Sequence, residues 1–288
     1  MRTQEGSAKV MALPWMETGT GSAEHYWHFL VGYLMPLAAR LDQLPEPAQL
    51  QLFDCGPTMN PLLVDAITPH AIQLSKGAKV VSSASAVLGV APSKALSAPY
   101  IDRWDLRIAS APDAELAELK PLIESARMSL SARVGGRACC SPALARGSFL
   151  IIKRSDEPDY YKAGGGASIE TYGAGRREFL DLESGCSALQ AAGLACLIYE
   201  PGRHNLACQV AHFSVCAGVI GVRGAEFANV VWARADTTMI MFMANGFLNE
   251  SPPPQRLSRM FGQNFHTVPH GGARNPSLNP AVVLRLLS

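Results

Sequence analysis

The sequence lacks the features that mark several large classes of protein. No apolar run reaches the roughly 18 residues of a membrane-spanning helix, and Pro36 interrupts the apolar stretch 29–39. The net charge is only +1 over 288 residues, so no electrostatic excess attracts a nucleic acid. These absences predict a protein without a transmembrane segment and without nucleic acid as its main partner.

Sequence signatures of several common catalytic sites are also missing. The chain has no Walker-type phosphate loop, no G-x-S-x-G and no G-x-G-x-x-G that opens a helix. The nearest approach to an Asp-x-Asp metal clamp is the Asp181-Leu182-Glu183 tripeptide. We therefore expect neither a metal ion nor a bound cofactor.

Cysteine is present, but not in the pattern of a disulfide framework. Seven cysteines, an odd number, are spread along the chain, and residues 1–15 lack the apolar core of a secretion signal. Thiols in such a context are typical of a reducing compartment. We expect a cytoplasmic protein.

The composition itself is that of a folded chain with a large core. Of the 288 residues, 48% are hydrophobic, enough for one large domain or two of medium size. In the second half, short apolar runs alternate with helical patterns, which is typical of a mostly parallel, doubly wound α/β sheet. The predicted strands are 149–153, 195–199, 217–221, 238–243 and 265–268.

The first half is compatible with an α/β domain but less regular. Apolar periodicity predicts a helix over 24–44, which Pro36 should kink or divide. Alternation predicts a strand over 48–55, and a second helix is predicted over 112–134 with a break at Pro121. This half therefore contributes helices and at least one strand.

Small residues in 135–147, with three Gly and one Pro, predict a hinge between two domains. We place an N-terminal α/β domain at 1–147 and a C-terminal α/β domain at 148–275. The segment 276–288 closes the chain as a helix.

The stretch 209–229 is the most informative part of the second half. It predicts a helix, a buried strand and a tight turn that feeds a new helix. Open α/β sheets bind anions and nucleotides where a strand ends and a helix begins. The alternative is an ordinary α/β crossover, which every such domain contains.

A histidine and cysteine stripe precedes this strand. His204, Cys208, His212 and Cys216 recur every four residues, as metal ligands on a helix can. The four would span about 18 Å along the helix, so one ion cannot collect them all. Cys208 and His212 could share an ion with ligands from elsewhere, but a packed helix face is the interpretation we favour.

Two residues of the first half are candidates for a general base. His28 lies near the start of the first predicted helix, where it is either a packed histidine or a base at a cleft. Asp54 ends a predicted strand before Gly56-Pro57, where it could be the base instead or merely cap the turn.

Basic residues follow the first strand of the second half. Arg154, Lys162, Arg176 and Arg177 form either a solvated basic face or a clamp on a diphosphate. Guanidinium pairs with phosphate through two parallel hydrogen bonds, which supports the clamp.

Four segments occur in a recognisable order. Tyr26-Trp27-His28-Phe29-Leu30 enters a helix that continues to Leu34-Met35-Pro36, and the strand 149–153 ends in Arg154 before Arg176-Arg177. A short helical stretch that ends in Gly precedes the last strand, as QRLSRMFGQNFHTV. The remaining segment supplies Gln209, Gly221, Gly224, Ala225 and Asn229.

In this set and order, over about residues 24–45 and 149–270, the chain resembles glycosyltransferase family 61. The core pattern of that family runs from a Gln through an apolar strand to G-x-H-G-A, with an Asn four residues beyond the Ala. Its fold is of GT-B type, in which two Rossmann-like, doubly wound α/β domains face each other across a cleft. The closing helix of such folds often crosses back onto the first domain.

The resemblance implies an inverting, metal-independent hexosyl- or pentosyltransferase that moves a sugar from a nucleotide-sugar, such as a UDP-sugar, to a glycan or glycoconjugate hydroxyl, as in polysaccharide biosynthesis. His28 is then the first choice of base and Asp54 the second. The expected donor-binding residues are Arg154, Arg177, Glu200, Arg223, Gly224, Ala225, Glu226 and Asn229.

Two positions depart from the family pattern. Arg223 stands where G-x-H-G-A has His, and Gly32 stands where an acidic residue is expected four positions after the N-terminal His. Arginine can still bind a phosphate. The alternative function is a catalytically inactive, glycosyltransferase-like binding or scaffold protein that kept the fold.

Overall fold

The structure is a computed structural model of the chain. The chain divides into two compact units, Met1–Gly136 and Arg137–Ser288. The division falls inside the stretch 135–147 that the sequence predicts as a hinge. The described residues are 9–11, 23, 25–42, 49–68, 70–75, 103–137, 146–156, 177–247, 251–271 and 275–288.

The described part of the first unit contains a small parallel sheet. Its strands are β1 (Lys9–Met11), β2 (Gln49–Phe53) and β3 (Ala71–Ser75), in the order β1-β2-β3. Lys9 pairs with Gln49, which pairs in turn with Ala71. The strand predicted over 48–55 is therefore confirmed.

The helix predicted over 24–44 is confirmed, with a local change of winding before its proline. It runs as α1 (Tyr26–Phe29), a π-helical turn (Leu30–Leu34) and α2 (Met35–Leu41). Pro36 lacks the amide hydrogen that would bond the carbonyl of Gly32, and its ring would clash with that carbonyl in a regular α-helix. The wider π-helical turn accommodates both effects without ending the helix.

Three further helices complete the described part of this unit: α3 (Gly56–Ile67), α4 (Trp104–Ser110) and α5 (Asp113–Val134). The break predicted at Pro121 is wrong, because α5 continues through it. Pro121 and the residue four positions earlier, Ala117, are both exposed. Water can therefore take the carbonyl that loses its amide partner, which lowers the cost of a proline inside the helix.

The second unit is built on a five-stranded sheet in which every strand pair is parallel. All five strands predicted from the sequence are confirmed, and their order in the sheet is β5-β4-β6-β7-β8. Such a sheet is compatible with a Rossmann-like fold. The strands are β4 (Phe149–Ile152), β5 (Cys196–Tyr199), β6 (Gly218–Val222), β7 (Thr238–Ala244) and β8 (Asn264–His270).

Helices cover both faces of this sheet. On one face, α6 (Leu182–Ala191) and α9 (Pro280–Leu287) pack on alternate strand residues such as Ile151 and Phe242. On the other, a 3₁₀ segment (Ala225–Trp232) packs through Phe227 against Gly221. That segment also contacts α7 (Leu206–Val215) and α8 (Pro253–Met260). Burial on both faces explains why β4, β5, β6 and β7 are apolar runs rather than alternating patterns. The edge strand β8 (NFHTVPH) is less buried and mixed in composition.

Among the helices within the described ranges, none is long and apolar enough to cross a lipid bilayer.

Candidate functional site

The strand order of the second unit contains a topological switch point, where open α/β sheets form a crevice at the edge of the sheet. The chain passes from β4 outward to β5 and then returns to β6 on the other side of β4. From β4 the chain therefore continues to the strand on one side, and from β6 it continues in the opposite direction, to β7. Open α/β sheets bind their ligands at such a switch point, outside the carboxyl ends of the strands. Arg154 follows β4 and Arg223 follows β6.

The side chain of Arg154 lies at this switch point and is almost wholly buried, with 9% of it exposed. Its Nε donates to Glu226 Oε1 at 2.9 Å, which joins the loop after β4 to the segment after β6. Among the described residues, neither Arg154 Nη1 nor Glu226 Oε2 has a hydrogen-bond partner. A buried guanidinium with an unused donor costs stability unless something else binds it.

Gly224 allows the close approach of these two side chains. Its backbone is extended, and a Cβ at this position would lie 2.4 Å from Glu226 Oε2 and 3.5 Å from Arg154 Cζ. The helix predicted to open at Ala225 does begin there, but it is a 3₁₀ helix rather than an α-helix. The first amides of this 3₁₀ helix continue the turn after β6 and include that of Glu226, a member of the ion pair.

The remaining basic and acidic candidates differ in their placement. Glu200, directly after β5, accepts from Arg203 Nε at 2.7 Å, and Lys153 Nζ lies 4.0 Å from its other oxygen. Arg177 is half-buried in the segment that leads to α6. The other two residues of the predicted clamp, Lys162 and Arg176, fall outside the described residues.

Asn229 lies in the interior rather than at the crevice surface. Its amide nitrogen donates to Gln209 Oε1 at 3.0 Å, and its oxygen accepts from Trp232 Nε1 at 3.0 Å. Gln209 in turn donates to the carbonyl of His204. Because Asn229 is fully buried, we assign it to holding the 3₁₀ segment against α7 rather than to direct contact with a ligand.

Of the histidine and cysteine stripe, Cys208 and His212 lie on a packed face of α7, whereas His204 precedes this helix and Cys216 follows it. His212 is fully buried, and its ring lies 4.5 Å from that of Tyr199, which stacks on His204 at 4.8 Å. Burial, with a smaller contribution from the charge of His204, lowers the pKa of His212. Within the described ranges, no group of three or more His, Cys, Asp or Glu side chains could hold a metal ion.

In the first unit, His28 is paired with an acidic residue that the sequence did not predict. His28 Nδ1 lies 2.5 Å from Asp105 Oδ2, across 77 positions of the chain. Arg103 donates to both oxygens of the same carboxylate, at 3.0 and 2.7 Å. Burial acts to raise the pKa of Asp105, but the hydrogen bonds from His28 and Arg103 and the charge of Arg103 outweigh it, so the net pKa is lowered.

The ionised carboxylate of Asp105 accepts a hydrogen from Nδ1, which places the lone pair of a neutral His28 on Nε2. An imidazole held in this tautomer is oriented as a general base. The local signal for Asp105 was weak, because a lone Asp in the first turn of a helix is common for reasons of helix stability. Only the fold brings α4 beside α1.

The carboxylate of Asp54 accepts hydrogen bonds within the turn that follows β2. Its Oδ1 accepts from the Gly56 amide at 2.9 Å and from Asn60 Nδ2 at 2.7 Å. The Asn60 oxygen accepts from the Cys55 amide. This network supports the turn-capping interpretation of Asp54 and leaves His28 as the stronger candidate for a base.

No protein-family model matches the chain, and no curated protein is significantly similar to it. The assignment of a function therefore rests on the residues and their geometry.

Proposed function

We propose that the chain is a glycosyltransferase of GT-B type, which moves a sugar from a nucleotide-sugar to a glycan or glycoconjugate hydroxyl. The observation that carries the proposal is Arg154, a buried arginine at the sheet's switch point whose Nη1 has no hydrogen-bond partner among the described residues. A diphosphate is a natural acceptor for such a donor. Arg154 is also one of the residues in the segments that resemble glycosyltransferase family 61.

The donor site belongs to the second unit in this proposal. Arg154 and Arg223 bind the diphosphate together with the amides that follow Gly224, and Arg177 adds a further positive charge. Fixed positive charge stabilises the nucleoside diphosphate as it leaves, without a metal ion.

The acceptor base belongs to the first unit. His28 Nε2 takes the proton of the acceptor hydroxyl while that oxygen attacks the anomeric carbon. The bond from that carbon to the diphosphate oxygen breaks, and the nucleoside diphosphate leaves with its electrons. This single displacement inverts the anomeric centre. Asp105 holds Nδ1–H of His28 by the contact described above and stabilises the imidazolium that forms.

Asp105 also accounts for one departure from the family pattern. The acidic residue that the resemblance places at position 32 is Gly32 here, inside the π-helical turn. Asp105 supplies a carboxylate to His28 from α4 instead. The base therefore does not depend on an acidic side chain from its own helix.

A binding protein without turnover is the second candidate, and Glu226 is the observation that favours it. The carboxylate of Glu226 takes the Nε donor of Arg154, which a phosphate could otherwise use. Replacing it as Glu226→Gln removes the competing charge. If the crevice binds anions, the affinity for inorganic pyrophosphate should rise severalfold in this variant.

Donor hydrolysis tests the proposal. The protein is incubated with a panel of nucleotide-sugars, and released nucleoside diphosphate is measured beside a His28→Ala control. Release from at least one donor that depends on His28 supports transfer. Nucleotide binding without release from any donor favours the binding protein, and neither binding nor release with any nucleotide overturns both.

A further inference from the structure

A cavity of about 360 Å³ lies at the carboxyl ends of β7 and β8, apart from the Arg154–Glu226 pair. Its volume is within the range of small-molecule sites. Phe242 of β7 and Val268 of β8 line it, and both are nearly buried. Val282 of α9 and Leu180, which is 71% exposed, add further apolar lining. These side chains give the cavity an apolar floor and one open side.

Neutral polar groups complete the described lining. They are His270, Asn275, Ser277 and Asn279, from the end of β8 and the segment that enters α9. The Nδ1 atom of His270 is buried and has no hydrogen-bond partner among the described residues. Burial lowers the pKa of His270, and a smaller interaction with the Gly271 backbone acts in the opposite direction, so the neutral ring is favoured at pH 7. A neutral ring offers one donor and one acceptor.

The cavity and the Arg154 crevice lie at the same edge of the sheet. All five strands are parallel, so their carboxyl ends share that edge, and β7 separates β6 from β8. Neighbouring strands lie about 4.8 Å apart, so the cavity is roughly 5–10 Å along the edge from the end of β6. One site offers positive charge, whereas the described lining of the other is uncharged.

We infer that this cavity binds the uncharged base of a nucleoside whose diphosphate lies against Arg154. The apolar floor of the cavity, formed by Phe242, Val268 and Val282, suits the faces of a flat heterocycle. The Nδ1 atom of His270, which has no hydrogen-bond partner within the described ranges, suits a polar atom on the edge of that heterocycle. The inference rests on the proposed function and deepens it, because it assigns the second half of the donor to a separate set of residues.

Nucleoside binding tests the cavity without requiring turnover. Uridine, cytidine, adenosine and guanosine are titrated by ligand-observed NMR or calorimetry, and inorganic pyrophosphate is titrated separately. The variant Ser277→Trp fills the open side from an exposed position, and Ser251→Trp places the same side chain on an exposed loop that does not line the cavity. Leu180→Ala provides a second, milder change at an exposed position.

At least one nucleoside should bind, and Ser277→Trp should weaken it at least tenfold while Ser251→Trp leaves it unchanged. Neither substitution should alter the affinity for pyrophosphate, which depends on Arg154. If no nucleoside binds, or if Ser277→Trp and Leu180→Ala both leave nucleoside affinity unchanged, the cavity is not a base site. If pyrophosphate binds although no nucleoside does, the proposed diphosphate site at Arg154 still holds and only the base site is overturned. If a nucleoside binds but no donor is turned over, the base site holds and the proposed transfer is overturned.

Discussion

Both units contain a buried pair of charged side chains, and the two pairs differ in how completely they are satisfied. Asp105 accepts three hydrogen bonds from His28 and Arg103, and its carboxylate is fully buried. In the other pair, Arg154 Nε donates to Glu226 Oε1, and each partner keeps a buried atom without a hydrogen-bond partner among the described residues. Unsatisfied buried polar atoms are rare in folded proteins. The first pair is therefore complete without a ligand, whereas the second has room for one.

The largest effect is expected from His28→Ala, which removes the base but leaves Asp105 and the second unit in place. Transfer should fall by about 10²–10⁴-fold, the usual contribution of a general base. Donor affinity should stay near that of the unchanged protein, because the donor residues belong to the other unit. Initial rates and donor titrations measure the two quantities. Transfer at an unchanged rate would remove His28 from the mechanism.

Stability should separate the two charged pairs. Asp105→Asn leaves Arg103 without its carboxylate partner and should destabilise the first unit by about 3–5 kcal/mol, the usual cost of breaking a buried ion pair. Glu226→Gln keeps an acceptor oxygen and lies at a less buried pair, so it should cost about 1–3 kcal/mol. Hydrogen exchange near α4 and near the 3₁₀ segment reports each unit separately. The reverse ranking would contradict the difference in completeness.

Arg223→Ala should weaken the binding of nucleoside diphosphates about ten- to hundredfold, because charge-assisted hydrogen bonds contribute about 1.5–3 kcal/mol. Arg234→Ala is the matched control, since Arg234 is an exposed arginine that pairs with Asp236. Calorimetric titration measures both variants. Equal losses in the two would point to a general charge effect rather than to a site at the end of β6.

The smallest effect is a difference in pH dependence between the units. Burial lowers the pKa of His204, His212 and His270 in the second unit. Their unfolded forms take up protons below about pH 6.5 and their folded forms resist it, so this unit should lose stability as the pH falls below that value. Burial raises the pKa of Glu178, so folded Glu178 takes up a proton more readily than unfolded Glu178 does. This offsets part of the loss of stability, but only as the pH approaches the range in which a glutamate titrates.

The first unit should respond at lower pH. The lowered pKa of Asp105 contributes stability that is present above about pH 3.9 and is lost as the pH falls through the folded value. Hydrogen exchange at several pH values between 4 and 7 should therefore show weakened protection in the second unit first. If protection weakened in both units at the same pH, the buried histidines would not be what determines the pH dependence of stability in the second unit.

The sequence by itself determined the local elements of the second unit. Strands β4 to β7 are apolar runs bounded by turn residues, as strands covered by helices on both faces usually are, whereas β8 (NFHTVPH) is mixed in composition. The helix around Pro36 was likewise predicted from periodicity. The break expected at Pro121 did not occur, because proline's cost depends on whether water can reach the carbonyl four residues earlier. That exposure is a property of the packed helix.

Only the tertiary structure decided which side chains meet. The order β5-β4-β6 places the ends of β4 and β6 together, and with them Arg154 and Glu226. Packing of α4 beside the first helix gave His28 a carboxylate from 77 positions away. Local patterns report which face of a segment is buried, but not the partner that buries it. Long-range pairs are selected by shape and charge across the whole unit, so no single stretch of sequence records them.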